Sequence, residues 1–137
     1  MNWVTYSLIA MLLFAGMHLT FKKLGLLGVS SAMILFFVFL SGAIVYPTYM
    51  YFSGEKISFN NEIIFWLFIA ALLSITANLI SLKAFLAAPN PGYPGAISSF
   101  GIIIVTVVSY FIFSSELNII RLIGVILGFV GIILIYL

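Results

Sequence analysis

Three polar residues in an otherwise apolar stretch, Ser74, Asn78 and Ser81, carry the first chemical signal in this sequence. Their i, i+4, i+7 spacing puts them on one face of a helix. Asn78 is the most polar uncharged residue deep in any apolar segment, and an amide in such surroundings needs hydrogen-bond partners. The stripe serves either as glue between helices, at about 0.6 kcal/mol or somewhat more per contact, or as the lining of a path for a polar solute. Lys83 lies about 12 Å past the middle of the same segment at 1.5 Å per residue. There it either snorkels to the boundary or receives an anionic group of a solute. His18 and Lys22, one turn apart in the first apolar segment, fall at the same depth. If His18, Lys22 and Lys83 converge, they form a cationic mouth able to attract carboxylate or phosphate. His18 is also the one side chain whose ordinary pKa lies near neutrality, so interfacial hydrogen bonding and proton transfer are both open to it.

Tyr46, beside Pro47, and Thr106, which shares a helical face with Ser99 and Tyr110, complete the candidate solute-binding set of Asn78, Ser74, Ser81, Tyr46, Thr106, His18, Lys22 and Lys83. Pro47 predicts a bend in its segment. Gly124, Gly128 and Gly131 make a flat strip suited to helix packing or dimer contact, because small residues let helices approach closely. Catalysis has no comparable signal. One His, no Asp, no Cys, and three Glu (Glu55, Glu62 and Glu116) in loops supply no triad, no carboxylate pair and no metal-ligand cluster. No Gly-rich strand-to-helix phosphate loop exists either. The expectation is no catalytic residue, no metal and no cofactor.

The elements that must position these residues follow from composition. Of 137 residues, 65% are hydrophobic and 6% charged, with a mean hydropathy of +1.36. A soluble domain is about 25% charged, so these residues cannot build a water-facing surface. A soluble enzyme, a disordered chain and a nucleic-acid binder are excluded, and a pI near 9.0 resting on five cations against three anions does not point to polyanions. Crossing about 30 Å of hydrocarbon takes roughly 20 apolar residues as a helix. Five segments answer to that, at about 3–21, 31–52, 63–88, 96–113 and 119–137. The period-2 alternation of barrel strands is absent, so the spans are read as helices. The prolines at 89, 91 and 94 predict a tight reversal between the third and fourth. The first segment has no basic region before it and its Lys residues follow it, so it reads as a span and not as a signal peptide. The expected fold is all-α: a polytopic membrane protein, one transmembrane domain over 1–137, in the inner or plasma membrane of the cell.

Five spans put the two termini on opposite faces. Face A takes the first loop, the Pro-rich loop and the C-terminus; face B takes the N-terminus and the loops near 53–62 and 114–118. Trp3, Trp66, Tyr49, Tyr51 and Tyr110 fall at B, and Tyr93 and Tyr136 at A, as aromatic belts do at headgroup level. The Lys/Arg excess that sets orientation is nearly nil: Lys22, Lys23 and boundary Lys83 on A against Lys56 and Arg121 on B. Insertion in one direction and insertion in both, with copies paired antiparallel, both remain open.

The segment Glu116-Leu117-Asn118-Ile119-Ile120-Arg121-Leu122-Ile123-Gly124, followed by Gly128 and Gly131, resembles the closing signature of the EamA-type drug/metabolite transporter superfamily. The run Leu82-Lys83-Ala84-Phe85-Leu86-Ala87-Ala88, the turn after it and the Ala/Ser-rich helix start beyond are similar to the same repeat. Five spans equal one EamA repeat, and the motif covers about 55 residues of it. Ser98-Ser99-Phe100-Gly101 stands where that pattern usually has a proline. The related small multidrug resistance proteins are more distant, since no acidic residue in the first span matches their coupling Glu. The resemblance implies a carrier of a small metabolite with its solute site between two inverted five-span halves. With one repeat per chain, an antiparallel homodimer would provide both halves. A non-transporting accessory or assembly subunit, and a flippase subunit for a lipid-linked sugar, are the alternatives. The partners expected are a small-molecule substrate, the bilayer and a second copy, with no nucleic acid.

Overall fold

The computed structural model of the chain describes residues 2–55, 58–99, 101–114 and 118–136, without the side chains at 121, 125, 129, 132, 135 and 136. Lys56, Phe100 and Glu116, and the side chains of Arg121 and Tyr136, thus lie outside the described residues. Six helices follow in order: α1 (Trp3–Leu26), α2 (Ser31–Ser53), α3 (Asn61–Ala87), α4 (Gly92–Ser98), α5 (Gly101–Phe113) and α6 (Ile119–Tyr136). α1, α2, α3 and the stretch Gly92–Phe113 are each long and apolar enough to cross a membrane. α6, with 18 residues, occupies the fifth expected span at a length of about 27 Å. The chain is an all-α polytopic membrane protein.

Short polar side chains set the helix starts. The Asn2 carboxamide oxygen accepts from the Thr5 backbone N–H at 3.0 Å, the Ser30 hydroxyl from Met33 at 3.3 Å and the Asn60 oxygen from Ile63 at 2.7 Å. Each supplies an acceptor to a first-turn N–H that has none within the helix. α3 therefore begins at Asn61, two residues before the apolar run. α1 runs past Phe21 through Lys22 and Lys23, because lysine is a good helix former. It stops only where Gly28 takes φ +82° and Val29 N–H donates back to the Leu24 carbonyl at 3.1 Å. α2 continues through Pro47 and ends on Gly54 at φ +68°.

The fourth span starts earlier than the expected 96–113. Its first helix starts inside the Pro-rich run, at Gly92. Pro94 sits in the first turn, where its missing N–H would have had no intrahelical acceptor. The Asn90 side chain shapes the preceding turn by accepting from Gly92 N–H at 2.8 Å. α4 ends at Ser98, Ser99 keeps right-handed helical angles (φ −64°, ψ −15°) with its hydroxyl bonded to the Gly95 carbonyl at 3.0 Å, and α5 begins at Gly101.

The chain divides into two compact units, Met1–Ala87 and Ala88–Leu137. In the second, α6 contacts both α4 and α5. In the first, α1, α2 and α3 alternate in direction around a small apolar core: Phe21, Ile34, Leu35, Leu82 and Phe85, with Met17, Leu24, Val29, Leu79 and Leu86 packed on it. All but Val29, in the loop between α1 and α2, belong to the C-terminal part of α1, the start of α2 or the C-terminal part of α3. From Trp3 to Gly16, from Phe36 to Ser53 and from Asn61 to Asn78 no residue is buried. The three helices are thus packed together at the face A end alone. Two contacts tighten that end. Lys22 Nζ donates to the Leu86 carbonyl at 2.9 Å, and Gly25 lets α1 approach so closely that an added Cβ would lie 2.5 Å from Leu86 Cδ2.

Leu82 is 2% exposed and lies at the centre of this core. Leu82→Ala should cost about 2 kcal/mol or more through the cavity it leaves, measured as a shift in the unfolding midpoint of the purified protein in detergent. The same change at lipid-facing Leu73 should leave that midpoint in place.

Candidate functional site

Immediately above the apolar core, α1 and α3 enclose a small cleft lined by His18, Asn78 and Ser81 among apolar neighbours that include Phe85 and Leu35. Three residues singled out for their polarity, from segments sixty residues apart, are thereby brought to one place. The His18 ring is stacked on Phe85, centroids 4.1 Å apart and planes at 22°, and flanked by Phe14 at 6.4 Å. The cleft volume is about 20 Å³, room for a water molecule and not for a metabolite.

The Asn78 amide is held by its own helix. Its nitrogen donates to the Ser74 carbonyl at 2.8 Å and lies 3.3 Å from the Ser74 hydroxyl. Because a carbonyl only accepts, this bond fixes which end of the amide is nitrogen. Asn78 keeps its oxygen for another partner, and Ser74 acts through Asn78. Among the described residues no hydrogen bond engages the Ser81 hydroxyl. By contrast, Ser7, Thr20, Ser41, Thr48 and Thr106 each donate to the carbonyl four residues back, the usual way for a hydroxyl to satisfy itself in a helix.

Next along α2 lies a wider recess of about 500 Å³, lined by Val38, Phe39, Gly42, Ala43, Tyr46 and Pro47. Leu35 lines the cleft, and Val38, Phe39, Gly42 and Tyr46 follow at helical spacing on that side of α2. The two hollows lie on one side of α2 but share no lining residue. Tyr46 folds back over Gly42, where an added Cβ would stand 3.2 Å from its ring.

A model of the EamA-like transporter family matches residues 1–137. The chain belongs to that family. Among curated proteins and solved structures no significant match is found. Membership in a family of transporters gives the polar cleft a functional context, and it places the chain in a membrane.

The remaining expected site residues are placed differently. Lys22 is one turn from His18 and holds the end of α3 through Leu86. Lys83 follows Asn78 by five residues and Ser81 by two, so it stands on the far side of α3 from the cleft, exposed. His18, Lys22 and Lys83 do not form one cationic mouth. Thr106 lies in the second unit, its hydroxyl bonded to the Ile102 carbonyl at 2.7 Å. Gly124, Gly128 and Gly131 are exposed and a Cβ on any of them would meet nothing within 4 Å, so the strip has no close neighbour among the described residues. Phe85 is the residue that reading the sequence passes over. It continues the Ser74, Asn78, Ser81 series by one more turn, and that continuation was the available sign.

Because Asn78 bonds within α3 and bridges no helices, removing its amide should spare the assembly. Asn78→Ala is expected to abolish solute flux in proteoliposomes while its elution profile and thermal midpoint match those of the unaltered protein. Unchanged flux in this variant would remove Asn78 from the path.

Proposed function

We propose that this EamA-family chain is one half of a metabolite carrier in the cell's inner or plasma membrane, completed by an inverted second copy that provides alternating access. The observation that carries the reading is the one-ended packing of α1, α2 and α3. Their face A end is closed by an apolar core, the polar cleft lies just inside it, and a wider recess follows toward face B on the side of α2 that carries Leu35. A solute entering from B meets Tyr46, then Asn78, Ser81 and His18. Admitting it to the cleft requires α1 and α3 to part, and that parting opens the A side. The near-equal division of Lys and Arg between the faces supports insertion in both directions. Five spans make one repeat, the unit that an inverted second copy would match. The reading is of transport without catalysis, metal or cofactor.

One observation favours a second reading, a flippase subunit for a lipid-linked sugar. A groove of about 460 Å³ runs along the α1–α2 flank from Val29 to Ser41. Its two hydroxyls, Thr20 and Ser41, are bonded to their own helices, so its lining suits an acyl chain.

Paired C-terminal reporters, one active only inside the cell and one only outside, separate the assemblies. Signal from both is expected for the inverted pair. Signal from one alone would end the dual-topology reading and leave a parallel or heteromeric assembly.

A further inference from the structure

We infer that the solute is uncharged and offers hydrogen-bond donors, an inference that rests on the carrier reading and gives its substrate class. Among the described residues no permanently charged side chain lines either the cleft or the α2 recess. The cations nearest in sequence are placed elsewhere: Lys22 reaches the end of α3, and Lys83 stands on the opposite side of that helix. An ion drawn into these hollows would lose hydration without a countercharge, which is far costlier than desolvating an amide or hydroxyl that regains a hydrogen bond. An anionic solute, which a cationic mouth of His18, Lys22 and Lys83 would have suited, therefore finds no matching charge.

The polarity of the lining gives the second half of the inference. With the Asn78 nitrogen committed to Ser74, the capacity left on that side chain is the carbonyl oxygen, an acceptor. The Ser81 hydroxyl accepts as well as donates, and so does a neutral imidazole at His18. A site weighted toward acceptors discriminates strongly for N–H and O–H groups, because a solute lacking them leaves the acceptors unpaired. Tyr46, Phe85 and Phe39 add ring surface that suits an apolar or planar body. Neutral carboxamides, nucleosides and polyols carry that combination; carboxylates, phosphates and quaternary amines do not.

The test uses the full chain reconstituted in liposomes preloaded with three pools together. These are uridine and inositol as neutral solutes, uridine monophosphate and succinate as anions, and choline and lysine as cations. Retained solutes are read by mass spectrometry against protein-free liposomes. Loss of the neutral pool alone is expected, slowed about fivefold in Ser81→Ala, the scale of one hydrogen bond. Asn78→Asp, which sets a carboxylate in the cleft, should lower uridine loss and raise choline loss. Selective loss of the anion or cation pool from the unaltered protein overturns the inference while leaving the carrier reading standing. Unaltered selectivity in a well-folded Asn78→Asp overturns the assignment of Asn78 as the selecting group. Retention of all three pools overturns the carrier reading itself, and the inference with it.

Discussion

Three helices held by a handful of side chains at one end impose the constraint on which the rest depends. Leu82 and Phe85 of α3 fill the space between Phe21 of α1 and Leu35 of α2, and that contact fixes where every polar residue of the unit comes to lie. In hydrocarbon there is no hydrophobic drive between helices, so cohesion comes from close packing and hydrogen bonds. Both are concentrated here: the apolar core, the Gly25 approach to Leu86, and the Lys22 bond to the Leu86 carbonyl. Toward face B the same helices expose their side chains, and lipid or another protein surface must meet them.

The polar cleft follows from that geometry. His18 is one turn before Phe21, and Asn78 and Ser81 immediately precede the buried part of α3. A contact that brings Phe21 to Phe85 therefore brings the three polar groups together. Stability and site share a seam, and the arrangement couples opening of the site to loosening of the core. The proposed carrier would need that coupling, since in it a solute would leave on face A only once these apolar side chains had moved apart.

Much of this was legible in the chain. The five apolar segments lie where helices stand, and two of the Ser74, Asn78, Ser81 series, Asn78 and Ser81, line the cleft. The helix starts were also written there, in Asn2, Ser30 and Asn60, although hydropathy alone placed α3 two residues late. What could not be read was azimuth between helices. Lys83 shares its depth with His18 and Lys22, but depth along a helix says nothing of which side a residue faces, and two residues beyond Ser81 it is turned away. Membership of Phe85 in the site likewise depends on a neighbour, His18, more than sixty residues distant. The early start of the fourth span at Gly92 escaped because Pro94 reads as a helix breaker, whereas a proline in the first turn removes no intrahelical hydrogen bond.

The bond from Asn78 to Ser74 bears on how the protein is made. A carboxamide entering lipid alone would hold back its whole segment until another helix arrived to satisfy it. By turning its amide nitrogen onto the carbonyl and hydroxyl of Ser74 one turn earlier, Asn78 lets α3 bring part of its solvation with it and leave the insertion machinery early. Packing against other helices can then be deferred, so that α3 resides in the bilayer before its neighbours close around it.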